Sequence, residues 1–60
     1  MTYQMAKKLH NGDEVQHRKT GEILTVVSIE DIPAGTDGTA RNHVNVLCDD
    51  GNEYHHTEIR

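Results

Sequence analysis

The residues best suited to chemistry in this chain are five histidines and one cysteine among 60 residues. His17, His55 and His56 fall in segments that we predict to be neighbouring strands, and Cys48 ends another. A zinc site needs three or four such ligands at about 2.0–2.3 Å from the metal. Adjacent His55 and His56 should point to opposite faces of a strand, and the sequence has neither CxxC nor HxxxH spacing. We therefore expect solvated strand histidines that hold no metal and no other cofactor.

Cys48 alternates with Val44 and Val46, a pattern typical of a small buried apolar side chain rather than a nucleophile. A catalytic thiolate needs an adjacent base and electropositive surroundings. Here Asp49 and Asp50 follow directly, and their charges should raise the pKa of the thiol. Their turn is also much shorter than a dedicated calcium loop. We predict no catalytic residue, and hence that the protein is not an enzyme.

Length and charge limit the class of protein. A chain of 60 residues allows one domain, whose core contributes no more than about 3–5 kcal/mol. The aliphatic residues concentrate in two short runs separated by turn residues, which favours a folded chain over a disordered one. Ten acidic residues outnumber six scattered basic ones, giving a net charge of -4. Because nucleic acids attract proteins mainly through Lys and Arg on phosphates, general nucleic-acid binding is disfavoured.

The sequence also indicates a compartment. A single cysteine cannot form an internal disulfide, which fits a reducing cytosolic setting. No apolar run approaches the ~20 residues of a membrane-spanning helix. The opening MTYQMAKKLH lacks the apolar stretch of a signal peptide. We therefore predict a cytoplasmic protein that makes no contact with membranes.

Residues 1–11 are predicted to form an N-terminal arm that precedes the folded domain. Their apolar residues have helical spacing, and Thr2 could cap a short helix: Met5, Ala6 and Leu9. A free helix of this length is marginal in water. The alternatives are a docked helical turn, a frayed arm or an added edge strand, and we favour a partly ordered arm. A turn signal then begins the domain, which we place at residues 12–60.

The stretch on which the predicted fold depends is residues 12–30. It predicts strands at 13–18 and 22–30, joined by a turn in which Gly21 takes positive φ. The second strand carries aliphatic residues on both faces, with Ile23, Val27 and Ile29 on one and Leu24 and Val26 on the other. In a small barrel a long strand bends at a bulge, so that its two halves serve two packed layers. The pattern therefore favours a barrel over an open sheet.

The remainder of the chain predicts one long loop and two further strands. Residues 31–42 contain one proline and two glycines and have no strong period, so we interpret them as a mobile loop, and we favour a merely connecting segment over a functional one. A strand at 43–48 is followed by an Asp-Asp-Gly-Asn turn that favours the primed turn types, and then by a strand at 53–56. A tight turn would then let Ile59 close the core.

The run VNVLCDDGNE at 44–53, with EIR at 58–60, resembles the second half of a Tudor-type SH3-like barrel. The opening at 12–15, followed by Gly21 and an apolar strand, is similar to SH3-like and KOW-type modules. Small bacterial and phage proteins of unknown function share this pattern. The resemblance implies an all-β fold: a small SH3-like barrel of four to five antiparallel strands.

The sequence departs from the residues with which these families bind ligands. Tudor domains read methylated side chains with an aromatic cage. Leu47 and Asp50 stand where two cage aromatics would lie, and Tyr3 and Tyr54 are the chain's only aromatics of the Phe, Trp and Tyr class. Peptide-binding SH3 domains likewise need an aromatic-lined groove. The resemblance thus supports the fold without transferring a ligand.

We interpret the protein as a small non-catalytic binding module that acts through protein–protein interaction. Its partner would be another protein, met at a free sheet edge, or a second copy of the chain. The candidate binding residues are Tyr54, His56, His17 and Arg18. The alternative is a KOW-like contact with nucleic acid or the ribosome, made by basic residues: Lys7, Lys8, Arg18 and Lys19.

Overall fold

The computed structural model describes residues 1–60, except for the side chain of Asp37. Its elements are α1 (Tyr3–Ala6), β1 (Glu14–Gln16), β2 (Ile23–Ile32), β3 (His43–Cys48) and β4 (Glu53–His55), with 3-10 turns at Thr36–Gly38 and His56–Glu58. The strands form one antiparallel sheet in the order β1-β2-β3-β4. The predicted all-β class and the four strands are confirmed. Within the described residues, no helix has both the length and the apolar character needed to cross a bilayer.

The core side of β3 follows the alternation that the sequence predicts. Val44, Val46 and Cys48 are buried, while the residues between them are half-buried. Both ends of this strand fall at the predicted positions. Because successive side chains of a strand point to opposite faces, one apolar residue in every two is enough to build one wall of the core.

β2 changes its buried face at a bulge, as its two-sided pattern predicts. Its register with β3 shifts between Val26 and Ser28. Before the shift, Leu24 and Val26 are buried, whereas Ile23 is 59% exposed and Val27 is 40% exposed. After it, Ile29 packs against the core. An extra residue in one strand lets the next segment face the other way, which explains aliphatic residues on both faces.

The last residues of the chain pair with the edge of β1 that β2 leaves free. Gln16 N–H donates to the Arg60 carbonyl at 2.8 Å, and Arg60 N–H donates to the Gln16 carbonyl at 2.9 Å. His17 and Ile59, the adjacent residues of the two segments, form an antiparallel bridge. Ile59 is fully buried in the core, so the prediction that it closes the core is confirmed.

The N-terminal residues form the docked helical turn rather than the partly ordered arm that we favoured. Thr2 Oγ1 accepts the Met5 N–H at 3.2 Å and caps α1. Ala6 is fully buried in the core, and the Tyr3 hydroxyl donates to Asp31 Oδ1 at 2.6 Å. A free helix this short is unstable in water, so its stability comes from these tertiary contacts.

Two connections differ in detail from the predictions. In the β3–β4 connection, Gly51 has φ of 85° and donates its N–H to the Cys48 carbonyl. The Cys48 N–H donates to the Asn52 carbonyl. The connection therefore has three residues, whereas the sequence predicted a primed two-residue turn. β4 ends at His55, one residue earlier than predicted, because His56 begins the second 3-10 turn. Gly21 takes positive φ, 76°, as predicted.

Shortening Ile59 tests whether the C-terminal residues complete the core. Ile59→Ala should lower the free energy of unfolding by about 2–5 kcal/mol, the usual cost of this change at a fully buried site. For a domain whose core contributes about 3–5 kcal/mol, such a loss removes a large part of the stability. Urea denaturation followed by circular dichroism measures it.

The matched control is Ile23→Ala, which removes the same atoms from a side chain that is 59% exposed. It should change the free energy of unfolding by no more than about 0.5 kcal/mol. Equal losses in the two variants would contradict the core position of Ile59.

Candidate functional site: a histidine groove

The four candidate residues divide between two places. The rings of His17 and Tyr54 lie edge to face with centroids 5.3 Å apart. Arg18 lies beside His17 in one cavity, whereas His56 lines a different one. The structure therefore brings three of the candidates together and leaves His56 among other histidines.

Three imidazole rings form a stack around His55. The centroids of His55 and His56 are 4.5 Å apart with planes 26° from parallel, and those of His43 and His55 are 5.2 Å apart with planes 13° from parallel. The expectation that His55 and His56 point to opposite faces is wrong. Strand alternation stops at His55, and the 3-10 turn that follows brings the next ring alongside it.

A capping box holds His55 in this position. Its Nδ1 accepts the Thr57 N–H at 3.3 Å and lies 2.8 Å from Thr57 Oγ1. In return, Glu58 Oε1 accepts the His55 N–H at 3.0 Å. The imidazole takes the role that Ser, Thr or Asp usually has at a helix start, so that the turn and the ring fix each other.

His56 is the most enclosed member of the stack, at 8% exposure. Its Nδ1 accepts the Val44 N–H at 3.2 Å, and the Tyr3 ring packs edge-on at 6.2 Å between centroids. Burial lowers the pKa of His56, and the nearby charges of His55, the amino terminus and His43 lower it further. The ring is therefore held neutral as part of the fold.

The stack forms one wall of a cavity of about 340 Å³, which we call the histidine groove. Its other wall is the end of the β2–β3 loop, and together the lining residues are Thr39, Ala40, Arg41, Asn42, His43, His55, His56 and Thr57. The sequence reasoning missed His43 and Arg41. The hairpin register was the available signal for His43, because Asn45 pairs with His55 and His43 lies two residues before it on the same face.

A second cavity of about 270 Å³ is lined by His17, Arg18, Lys19 and Glu58. His17 Nδ1 accepts the N–H groups of Lys19 and Thr20 at 3.2 and 3.3 Å, so this ring stabilises the β1–β2 turn. His17 thus has a structural function at the edge of the cavity.

The remaining candidate, Tyr54, is committed to the β3–β4 turn. Its hydroxyl donates to Asp50 Oδ2 at 2.5 Å. This bond lowers the pKa of Asp50 and raises that of Tyr54. A hydroxyl held in this way orients the ring toward His17.

The cysteine behaves as the sequence predicts. Cys48 is 1% exposed, and burial first, then the charges of Asp50 and Asp49, raises the pKa of its thiol. A thiol in such surroundings is a poor nucleophile. Among the described residues, no group of three His, Cys, Asp or Glu side chains is arranged to hold a metal ion. Stacked rings direct their nitrogen lone pairs along parallel planes instead of toward one point.

No model of a known protein family, no curated protein and no solved structure matches this chain. The likeness to SH3-like barrels, drawn from short motifs, therefore stays a prediction. The two cavities and their side chains are the observations from which a function can be inferred.

We expect the protein to lose stability in mild acid because of His56. The folded state lowers the pKa of this residue, mainly by burial, below the value of about 6.5 that it has in an unfolded chain. Between these two pKa values the unfolded chain binds more protons, so the free energy of unfolding decreases as the pH falls through about 6.5 and levels off below the folded pKa. Urea midpoints at about pH 7.5 and about pH 5.5 measure the loss.

His56→Gln should reduce this pH dependence, since it removes the group that gains a proton on unfolding. The control is His10→Gln, which changes a side chain that is 85% exposed, lies 3.9 Å from Asp13 Oδ2 and is outside the stack, and which should keep the part of the dependence that comes from His56. A native slope in His56→Gln would assign the acid sensitivity to another residue.

Proposed function

We propose that the protein is a non-catalytic binding module with an SH3-like barrel and that it recognises another protein. Two observations support the barrel. Residues 58–60 pair with the free edge of β1, and a 3-10 turn connects them to β4. With this added pairing, β1 has a partner on both sides, as in a small closed sheet.

The histidine groove is the proposed binding site, and the stacked imidazoles are the observation that carries the proposal. Ligand sites in proteins are concave, roughly 300–1,000 Å³ in volume, and lined by rings with a few polar groups. The groove has this size, and its lining combines three imidazoles with Ala40 and Arg41 of the loop. Flat rings offer a partner a large contact area at little cost in side-chain entropy.

The groove is a better candidate than the outer edge of β4. Strand addition to a sheet needs backbone N–H and C=O groups that have no partner. The His55 N–H at this edge is already bonded to Glu58 Oε1 at 3.0 Å. β4 is also only three residues long, which leaves little backbone for an added strand.

A nucleic-acid contact is the second candidate function. It is favoured by the cavity at the β1–β2 turn, where Arg18 and Lys19 lie side by side in the lining. Glu58 shares this lining, and the whole chain has a net charge of -4, so the protein–protein function ranks first.

Two alanines of the β2–β3 loop provide a matched test of the groove. Ala40 lines the groove and Ala34 does not, and both are exposed. A random peptide library is selected on the native protein, and the enriched peptides are tested for binding to Ala40→Trp and Ala34→Trp. We expect Ala40→Trp to lose them, because the indole occupies the cavity, and Ala34→Trp to keep them.

Peptides that bind both variants equally would place the site elsewhere on the molecule. A concentration-dependent dimer in light scattering that Ala40→Trp disrupts would make the occupant a second copy of the chain. Binding of RNA at low salt that disappears in Arg18→Glu would instead favour the nucleic-acid function.

A further inference from the structure

Two imidazole rings of the histidine groove carry a hydrogen-bond donor on Nε2. Nδ1 of His55 accepts the Thr57 N–H, and Nδ1 of His56 accepts the Val44 N–H, so each neutral ring carries its proton on Nε2. Among the described residues, every enclosed side-chain nitrogen and oxygen has a partner, and none pairs with Nε2 of His56. This N–H therefore keeps some accessible surface in a residue that is 8% exposed overall.

Arg41 adds a permanent positive charge to these donors. Among the residues that the structure describes, the lining of the groove includes Arg41 and no Asp or Glu, although acidic residues outnumber Lys and Arg ten to six in the chain. Arg41 forms no ion pair with a described side chain. Nδ1 of His43 lies 3.5 Å from the Arg41 carbonyl, so only the Nε2 of this ring is left as an acceptor.

We propose that the partner segment in the groove carries an aspartate or glutamate side chain, whose carboxylate accepts hydrogen bonds from Arg41 and from the imidazole N–H groups. This refinement rests on the proposed function of the groove. A carboxylate offers about four acceptor positions and pairs with a guanidinium through two parallel bonds. The apolar part of the same segment packs against the faces of the rings.

The charge of the whole protein favours a carboxylate on a peptide over the phosphates of a nucleic acid. Duplex DNA brings one negative charge per about 1.7 Å along its axis, and most of these would face the acidic surface of this chain. A peptide with one acidic residue places a single charge inside a groove whose described lining contains no carboxylate. The carboxylate of the peptide is then attracted by Arg41, and the repulsion between the peptide and the other acidic groups of the protein is small.

The test uses the peptides selected on the native protein and lost by Ala40→Trp. Each Asp or Glu in the tightest peptide is replaced by Asn or Gln, and affinities are measured by fluorescence anisotropy with amidated peptide C-termini. We expect one replacement to weaken binding by about tenfold, the usual effect of losing a charge-assisted hydrogen bond. Arg41→Glu should remove the preference for the acidic peptide, and Lys8→Glu, the same charge change at an exposed site outside the groove, should keep it.

The outcomes separate the two proposals. Groove-dependent peptides that lack acidic residues, or that bind equally well after the amide replacement, overturn the carboxylate and leave the groove as a protein-binding site. A selection that yields no groove-dependent peptide overturns both. An oligouridylate that binds through Arg41 with higher affinity than any selected peptide would assign the donors to phosphate and overturn the carboxylate.

Discussion

The chain reversal between His55 and Glu58 is the contact on which both the fold and the groove depend. The side chain at each end of the turn accepts a hydrogen bond from a backbone N–H nearer the other end. The reversal therefore occurs at one defined residue. Beyond it, the chain runs back to β1 and carries Ile59 into the core. Within the turn, the ring of His56 stacks on that of His55. A single 3-10 turn thus leads into the last core residue and brings two of the three stacked rings together.

The sequence predicts those parts of the fold that depend on a period of two. The alternation of Val44, Val46 and Cys48 is local, and its buried face is the only one that can bury three apolar residues together. The two-sided pattern of β2 indicates a bulge for the same reason, since no regular strand buries both Val26 and Ile29. Where the alternation of apolar residues along a strand decides the structure, the prediction holds.

The groove is the part that sequence reasoning could not supply, because it depends on where the alternation stops. The predicted β4 was one residue too long, which placed His56 on the opposite face and outside the stack. An error of one residue at a strand end thus became an error about the site. The imidazole of His55 acts as a turn cap, a role for which Ser, Thr, Asp and Asn are the usual signals. The docked position of α1 likewise depends on a surface that only the folded sheet provides.

The β2–β3 loop is closed at its base by its own hydrogen bonds. Asn42 Oδ1 accepts the Ala34 N–H at 2.6 Å, and the Gly35 N–H donates to the Thr39 carbonyl at 2.7 Å. Thr39 and Asn42, the acceptors of these bonds, also line the groove, and the residues between Gly35 and Thr39 form a tip beyond them. Because loop closure becomes only about 0.6 kcal/mol more costly with each doubling of length, insertions at this tip are tolerated with little loss of stability. Evolution, or an engineer, can therefore lengthen the protein at that point while the rest of the sheet is unchanged.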